Sequence, residues 1–264
     1  MVDALIWAAL GTGFTFLMTT LGASSVFLFR NKQSELMQRV FLGFAAGVMI
    51  AASVWSLLIP SIEMAESAGG ISWLPAAGGF FLGVFLMMGL HAILPHIHPS
   101  STNPEGLPSK WKRPTLLFTA VTLHNIPEGM SVGLLFAMAA QQGGDPALMG
   151  MAIALAVGIG IQNVPEGAAV SLPLLQEGMS PKKAFAMGAL SGLAEPVFGV
   201  LVVLGISFIS PFMPWMLAFA AGAMMYVVVE ELLPEAQLGK YSNAGTTSIM
   251  VGFVLMMILD VALG

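Results

Sequence analysis

His124 and Glu128 stand four residues apart in the segment HNIPEG, and Gln162 and Glu166 stand four apart in QNVPEG. On an α-helix that spacing puts each pair on one face, so two such helices side by side can bring all of these side chains together. An imidazole nitrogen, an amide oxygen and two carboxylates form a ligand set that suits a borderline divalent transition metal. The chain has no cysteine, which removes thiolate ligands and argues against a soft copper(I) site. Asn125 and Asn163 sit one position round each helix, and with Glu195 of the segment SGLAEP they would make a second site sharing Glu128 and Glu166. Two adjacent sites give a bound ion somewhere to move. Pro127 and Pro165 cannot donate to the carbonyls of Leu123 and Ile161, so each motif predicts a kink and a freed oxygen beside its ligands. Gly129 and Gly167 admit close helix approach, and backbone freed at membrane depth is tolerated only where it lines a cavity or another protein surface.

The elements that must hold these residues are membrane helices. The 264 residues are 57% hydrophobic and only 9% charged, with a mean hydropathy of +0.88, far too apolar for a soluble domain. Apolar stretches at about 4–29, 40–62, 76–95, 114–140, 146–175, 183–208, 212–238 and 245–263 predict an all-α integral membrane protein of eight transmembrane helices. Residues 1–264 then form a single polytopic transmembrane domain. The first stretch has no basic flank before it and is longer than a secretory h-region, so it reads as a retained span. The formal charge of -5 says less than where each charge sits. Arg30, Lys32, Arg39, Lys110, Lys112, Arg113, Lys182, Lys183 and Lys240 all fall in alternate loops, which predicts a cytoplasmic side for those loops and both termini extracytoplasmic. The longest of these loops, about 96–113, holds His96, His98, Ser100, Ser101, Asn103, Pro104 and Pro108 and has the composition of a flexible cytoplasmic linker.

Two segments recur in opposite orientation. The HNIPEG motif of span four returns as QNVPEG in span five, and Phe44-Ala45-Ala46-Gly47-Val48-Met49 of span two returns as Phe219-Ala220-Ala221-Gly222-Ala223-Met224 of span seven, which sets Ser56 against Glu231. An odd number of crossings separates each pair. Inverted-topology repeats of this kind mark transporters whose substrate site lies near the midplane where the repeats meet. For the second pair, the alternative is compositional likeness between apolar helices.

Within the spans lie His124, Glu128, Glu166, Glu195, Glu230 and Glu231, each costing on the order of 3 kcal/mol if charged and unpaired at the bilayer centre. No Lys or Arg lies deep in a span, so an external cation or protons must neutralise them.

The paired motifs, with SGLAEP in span six and EELLPEA in span seven, resemble the ZIP (Zrt-, Irt-like) metal transporter family, specifically its GufA-like branch, across essentially all eight spans. The resemblance implies a primary transport site of His124, Glu128, Gln162 and Glu166 and a second metal position of Asn125, Asn163 and Glu195. It further implies Met49 near the primary site, Glu231 with Glu230 as an acidic pair on the metal route, and His96 and His98 as cytoplasmic-side histidines. Some relatives carry Asp where Asn163 stands, which makes the second site of this chain less anionic.

Each assignment has an alternative. Met49 could simply pack, Asn125 and Asn163 could hydrogen-bond between helices, and His96 and His98 could belong to an ordinary loop. His91 is expected in a polar interfacial role, Glu235 and Asp260 as solvated span ends, and Glu63 and Glu66 as a solvated loop. The function expected is transport of a divalent metal toward the cytoplasm, zinc foremost, with cadmium, iron and manganese as other cargo. The metal is substrate, with no cofactor and no enzyme activity expected. The rival readings are a membrane-embedded metalloenzyme and a proton-coupled carrier of a small organic substrate; the chain has no HExxH. Its expected setting is a bacterial inner (plasma) membrane, with metal ions and lipid as partners, a homodimer as an assembly it could form, and no nucleic acid.

Overall fold

A computed structural model describes residues 2–28, 34–98, 101, 103–237 and 239–263; Arg30, Lys32 and Ser100 lie outside the described residues. The helices are α1 (Val2–Phe27), α2 (Glu35–Ser67), α3 (Trp73–Ile93), α4 (Arg113–Gln141), α5 (Pro146–Gln176), α6 (Pro181–Leu204), α7 (Ile206–Gln237) and α8 (Gly239–Leu263). All but α4 are long and apolar enough to cross a membrane. α4 has 29 residues, but buries His124, Asn125, Glu128 and Ser131 and is correspondingly less apolar. It packs along α6 and α1, which are both of spanning length. Helix starts follow local chemistry. Asp145 accepts from the Ala147 and Leu148 amides at 3.0 and 3.1 Å ahead of Pro146, capping α5.

Close backbone approach sorts the helices into two groups. A Cβ on Gly47 of α2 would overlap the Ile249 carbonyl of α8, and one on Gly252 of α8 would overlap the Phe44 carbonyl of α2. The same reciprocal contact joins α7 and α3, through Gly222 on Phe80 and Gly83 on Phe219. Phe44 and Phe219 are the first residues of the repeated FAAG segments, so the packing repeats as well as the sequence. Likewise Gly167 of α5 meets the Thr19 carbonyl of α1, and Gly129 of α4 meets the Glu195 carbonyl of α6. Backbone is thus locked within α1, α4, α5 and α6 and within α2, α3, α7 and α8. Between these groups the contact at Gly158 is a side chain, Met256.

Local irregularity carries the repeat further. α2 opens into a π-helical turn at Ser53–Leu58, and α7 does so at Val228–Leu232, starting at the equivalent residue of the repeat. α6 breaks after Ser191 and restarts at Ala194, placing Glu195 in the first turn of the new helix, where free amides and the dipole favour a carboxylate. α4 and α5 remain helical through Pro127 and Pro165.

Candidate metal site

The π turn of α7 puts one extra residue into the helix, which turns Glu231 inward while Glu230 stays exposed. Glu231 gathers the imidazoles. It is hydrogen-bonded to His124 Nε2 through Oε1 and paired with His98 Nδ1 through Oε2 at 2.8 Å, with His91 Nε2 3.5 Å from Oε1. Ligand atoms of His91, His124 and Glu231 lie within 4.8 Å of one another, and these three residues are buried. Neither ring nitrogen of His91 makes a hydrogen bond. A buried imidazole without a hydrogen bond is costly in an apolar interior, and a divalent cation bound by the three side chains would engage one of its nitrogens.

A second polar layer is continuous with the first. Gln162 Nε2 donates to Glu128 Oε1 at 2.6 Å. Asn163 Nδ2 donates to both oxygens of Glu195 at 3.0 and 2.9 Å and to the Thr15 carbonyl at 3.1 Å, while Thr19 Oγ1 donates to Glu195 Oε1 at 3.1 Å. Glu128, Glu195 and Glu231 are buried on α4, α6 and α7, and Glu166 of α5 lines a cavity with Glu231. Acids therefore run from α6 through α4 and α5 to α7. Along this run Glu128 Oε2, Glu166 Oε1, Gln162 Oε1 and both amide atoms of Asn125 have no hydrogen-bond partner. The oxygens among them are of a type that can coordinate a hard or borderline divalent cation.

His124, Glu166 and Glu231 open onto a cavity of about 50 Å³ that is otherwise mostly apolar. It lies toward the ends of α2, α4, α5 and α7 that carry the basic residues. There Glu235 lines it, and Arg39 Nη1 donates to the Glu235 carbonyl at 2.5 Å and carboxylate at 3.0 Å, tying α2 to α7. Beside it the chain after α3 folds back. His96 and Glu105 pair as an antiparallel bridge through amide-to-carbonyl bonds of 3.2 and 2.9 Å, and His96, His98 and Glu105 form a further set of clustered ligand atoms. Burial opposes protonation of His98, but its hydrogen bond to Glu231 and the charges of Glu231 and Glu105 prevail and raise its pKa above the ordinary value.

The structure brings together much of the expected set and regroups it. Glu128 meets Gln162, and Asn163 donates to Glu195 of α6, the helix-to-helix hydrogen bond given as the alternative role of Asn163. His124 differs: its partner is Glu231, because the π turn delivers that carboxylate to the imidazole. Met49 is buried within the main apolar core. Several expectations are corrected. Glu230 points away from the site, and Glu235 and Asp260, expected to be solvated, are 6% and 7% exposed. Glu235 is held by Arg39, and Asp260 Oδ1 accepts from Ser56 Oγ at 2.6 Å. His91 is 5% exposed beside Glu231, and the 96–113 loop begins buried, with His96 fully covered and Ile97 2% exposed. Sequence reasoning missed His91. The available signal was crowding: of four histidines in the chain, three fall within residues 91–98.

A helical membrane bundle that buries imidazoles and unpaired carboxylates, with a cavity reaching them from one face, has the construction of a cation carrier. The chain belongs to the ZIP family: residues 112–260 match the family described as ZIP Zinc transporter. It is 37% identical to the zinc transporter ZIP11 of Homo sapiens over 97% of each chain. It is also 37% identical to the zinc transporter GufA of Myxococcus xanthus over 93% of this chain and 94% of that one, and 39% identical to the zinc transporter ZIPB of Bordetella bronchiseptica over 98% and 82%.

Proposed function

We propose that this protein moves zinc, and related divalent ions such as cadmium, iron and manganese, across a bacterial plasma membrane toward the face that carries the basic residues. The observation that carries this reading is the buried cluster of His91, His124 and Glu231, whose ligand atoms lie within 4.8 Å of one another, beside a cavity that Glu166 also lines. An ion held by Glu128, Gln162 and Glu166, with Asn125, Asn163 and Glu195 alongside, passes to His124, Glu231 and His91, and leaves past His98 and His96. Each handover exchanges one oxygen or nitrogen ligand set for another, so the ion is never stripped bare in the apolar interior. The cargo is a substrate, and no bond of it is broken. The absence of any basic side chain within the run supports this over an organic-anion carrier, which would need a cationic pocket. Uptake of zinc into proteoliposomes, with and without candidate organic substrates, tests the proposal. Uptake that depends on the organic solute and ignores zinc would overturn it.

A further inference from the structure

A groove of about 900 Å³ runs along the seam between the two helix groups, walled by Met18 of α1, Phe41 and Phe44 of α2, Val164 and Pro165 of α5, and Val251 of α8. We infer that it is a binding site for one acyl chain of a bilayer phospholipid, and that its occupancy governs how freely the two groups move past each other.

Three observations select this occupant. The walls are almost wholly apolar, and the polar lining comes from Asn243, Thr247 and Ser248, toward the end of α8 that begins beside Lys240. A headgroup would lie at that polar end and a hydrocarbon tail beyond it. The neighbouring side chains Leu17, Met250 and Val251 are 62%, 58% and 56% exposed on helices apolar enough to span a membrane, so the groove opens onto hydrocarbon and not onto water. The walls also belong to both groups: α1 and α5 on one side, α2 and α8 on the other. The glycine-mediated backbone contacts that lock each group do not cross this seam, and the apolar walls of the groove suit a flexible apolar molecule.

The consequence for transport rests on the metal-carrier reading. Val164 and Pro165 stand between Asn163 and Glu166, so a chain against them bears on the segment of α5 that supplies ligands.

The test uses the natural lack of cysteine. Thr247→Cys carries a single fluorophore at the groove, and Val261→Cys, on the exposed face of α8 at 71% exposure, carries the same probe as a control. Both proteins are reconstituted in phosphatidylcholine with increasing nitroxide-labelled phosphatidylcholine. Quenching at Thr247→Cys should reach half its maximum at a several-fold lower mole fraction of labelled lipid than at Val261→Cys. Adding Ala244→Trp or, separately, Val251→Trp to fill the groove should abolish that difference and change the zinc uptake rate at least twofold. Identical quenching curves at the two positions would overturn the lipid site. So would fluorescence that responds to protein density and not to labelled lipid, which would indicate a second copy of the chain in the groove. Unchanged uptake in both filled variants would overturn the control of movement. The quenching uses no metal, so its failure is distinct from failure of the carrier reading.

Discussion

Ser56 donates to Asp260 at 2.6 Å, and this pair is the repeat counterpart of Glu231 and His91. Ser56 matches Glu231 in the register of the repeated FAAG segments, each in its own π turn, while Asp260 and His91 occupy equivalent places on α8 and α3 as set by Gly252 and Gly83. The same position of the repeat thus holds a hydrogen-bonded hydroxyl and carboxylate in one half and a buried imidazole and carboxylate pair in the other.

Glu128 Oε2 and Glu166 Oε1 are each buried without a hydrogen-bond partner. Glu128→Ala and Glu166→Ala should lower zinc uptake at least tenfold in proteoliposomes while the protein still inserts in the membrane. Full-rate uptake in either variant would defeat their assignment as ligands.

The loop tether should respond to pH through His98. Its pKa is raised by Glu231, so its ion pair with Glu231 is fully formed below the ordinary histidine value near ~6.5 and is lost as pH rises through the higher folded value. Metal binding runs the other way, because a histidine must shed its proton to ligate. Zinc binding should therefore weaken as pH falls from about 7.5 to about 5, and His98→Ala should flatten part of that slope. Calorimetric titrations at several pH values measure it; identical slopes for both proteins would exclude His98 from the route.

Asn163 holds Glu195 through two donated hydrogen bonds. Asn163→Asp replaces that donor with a second anion, so the metal-free protein should lose on the order of 2–4 kcal/mol of stability through a buried repulsive pair. Zinc should restore it by bridging the two carboxylates, giving a larger zinc-induced rise in melting temperature than in the parent, with slower turnover. An unchanged melting temperature without metal would show that the amide is not what secures Glu195.

If the two helix groups rock against each other, access to the site should alternate between the two faces. A cysteine at Ala169 reports on the cavity beside Glu166, and one at Leu148 reports on a cavity of about 370 Å³ at the opposite end, lined by Glu63 and Met138. Zinc should shift labelling of the two positions by a membrane-impermeant reagent in opposite senses. Simultaneous accessibility of both, insensitive to zinc, would describe a continuous channel.

The sequence by itself determined that the chain is a bundle of apolar helices, because charge is too scarce for any other solvent. It also placed His124 with Glu128 and Gln162 with Glu166 on shared helix faces, because four-residue spacing and duplication of a motif are both written locally. The partner of His124 was not legible. That depends on a π turn in α7, and a single inserted residue changes which of Glu230 and Glu231 faces inward without leaving a mark in hydropathy. The burial of Asp260, Glu235 and His91 was hidden for a related reason: position near a span end suggests water, and only a neighbouring helix that covers the residue and offers it Ser56, Arg39 or Glu231 reverses the expectation. Helix periodicity fixes which residues share a face, whereas which faces meet is decided by where glycines let backbones touch.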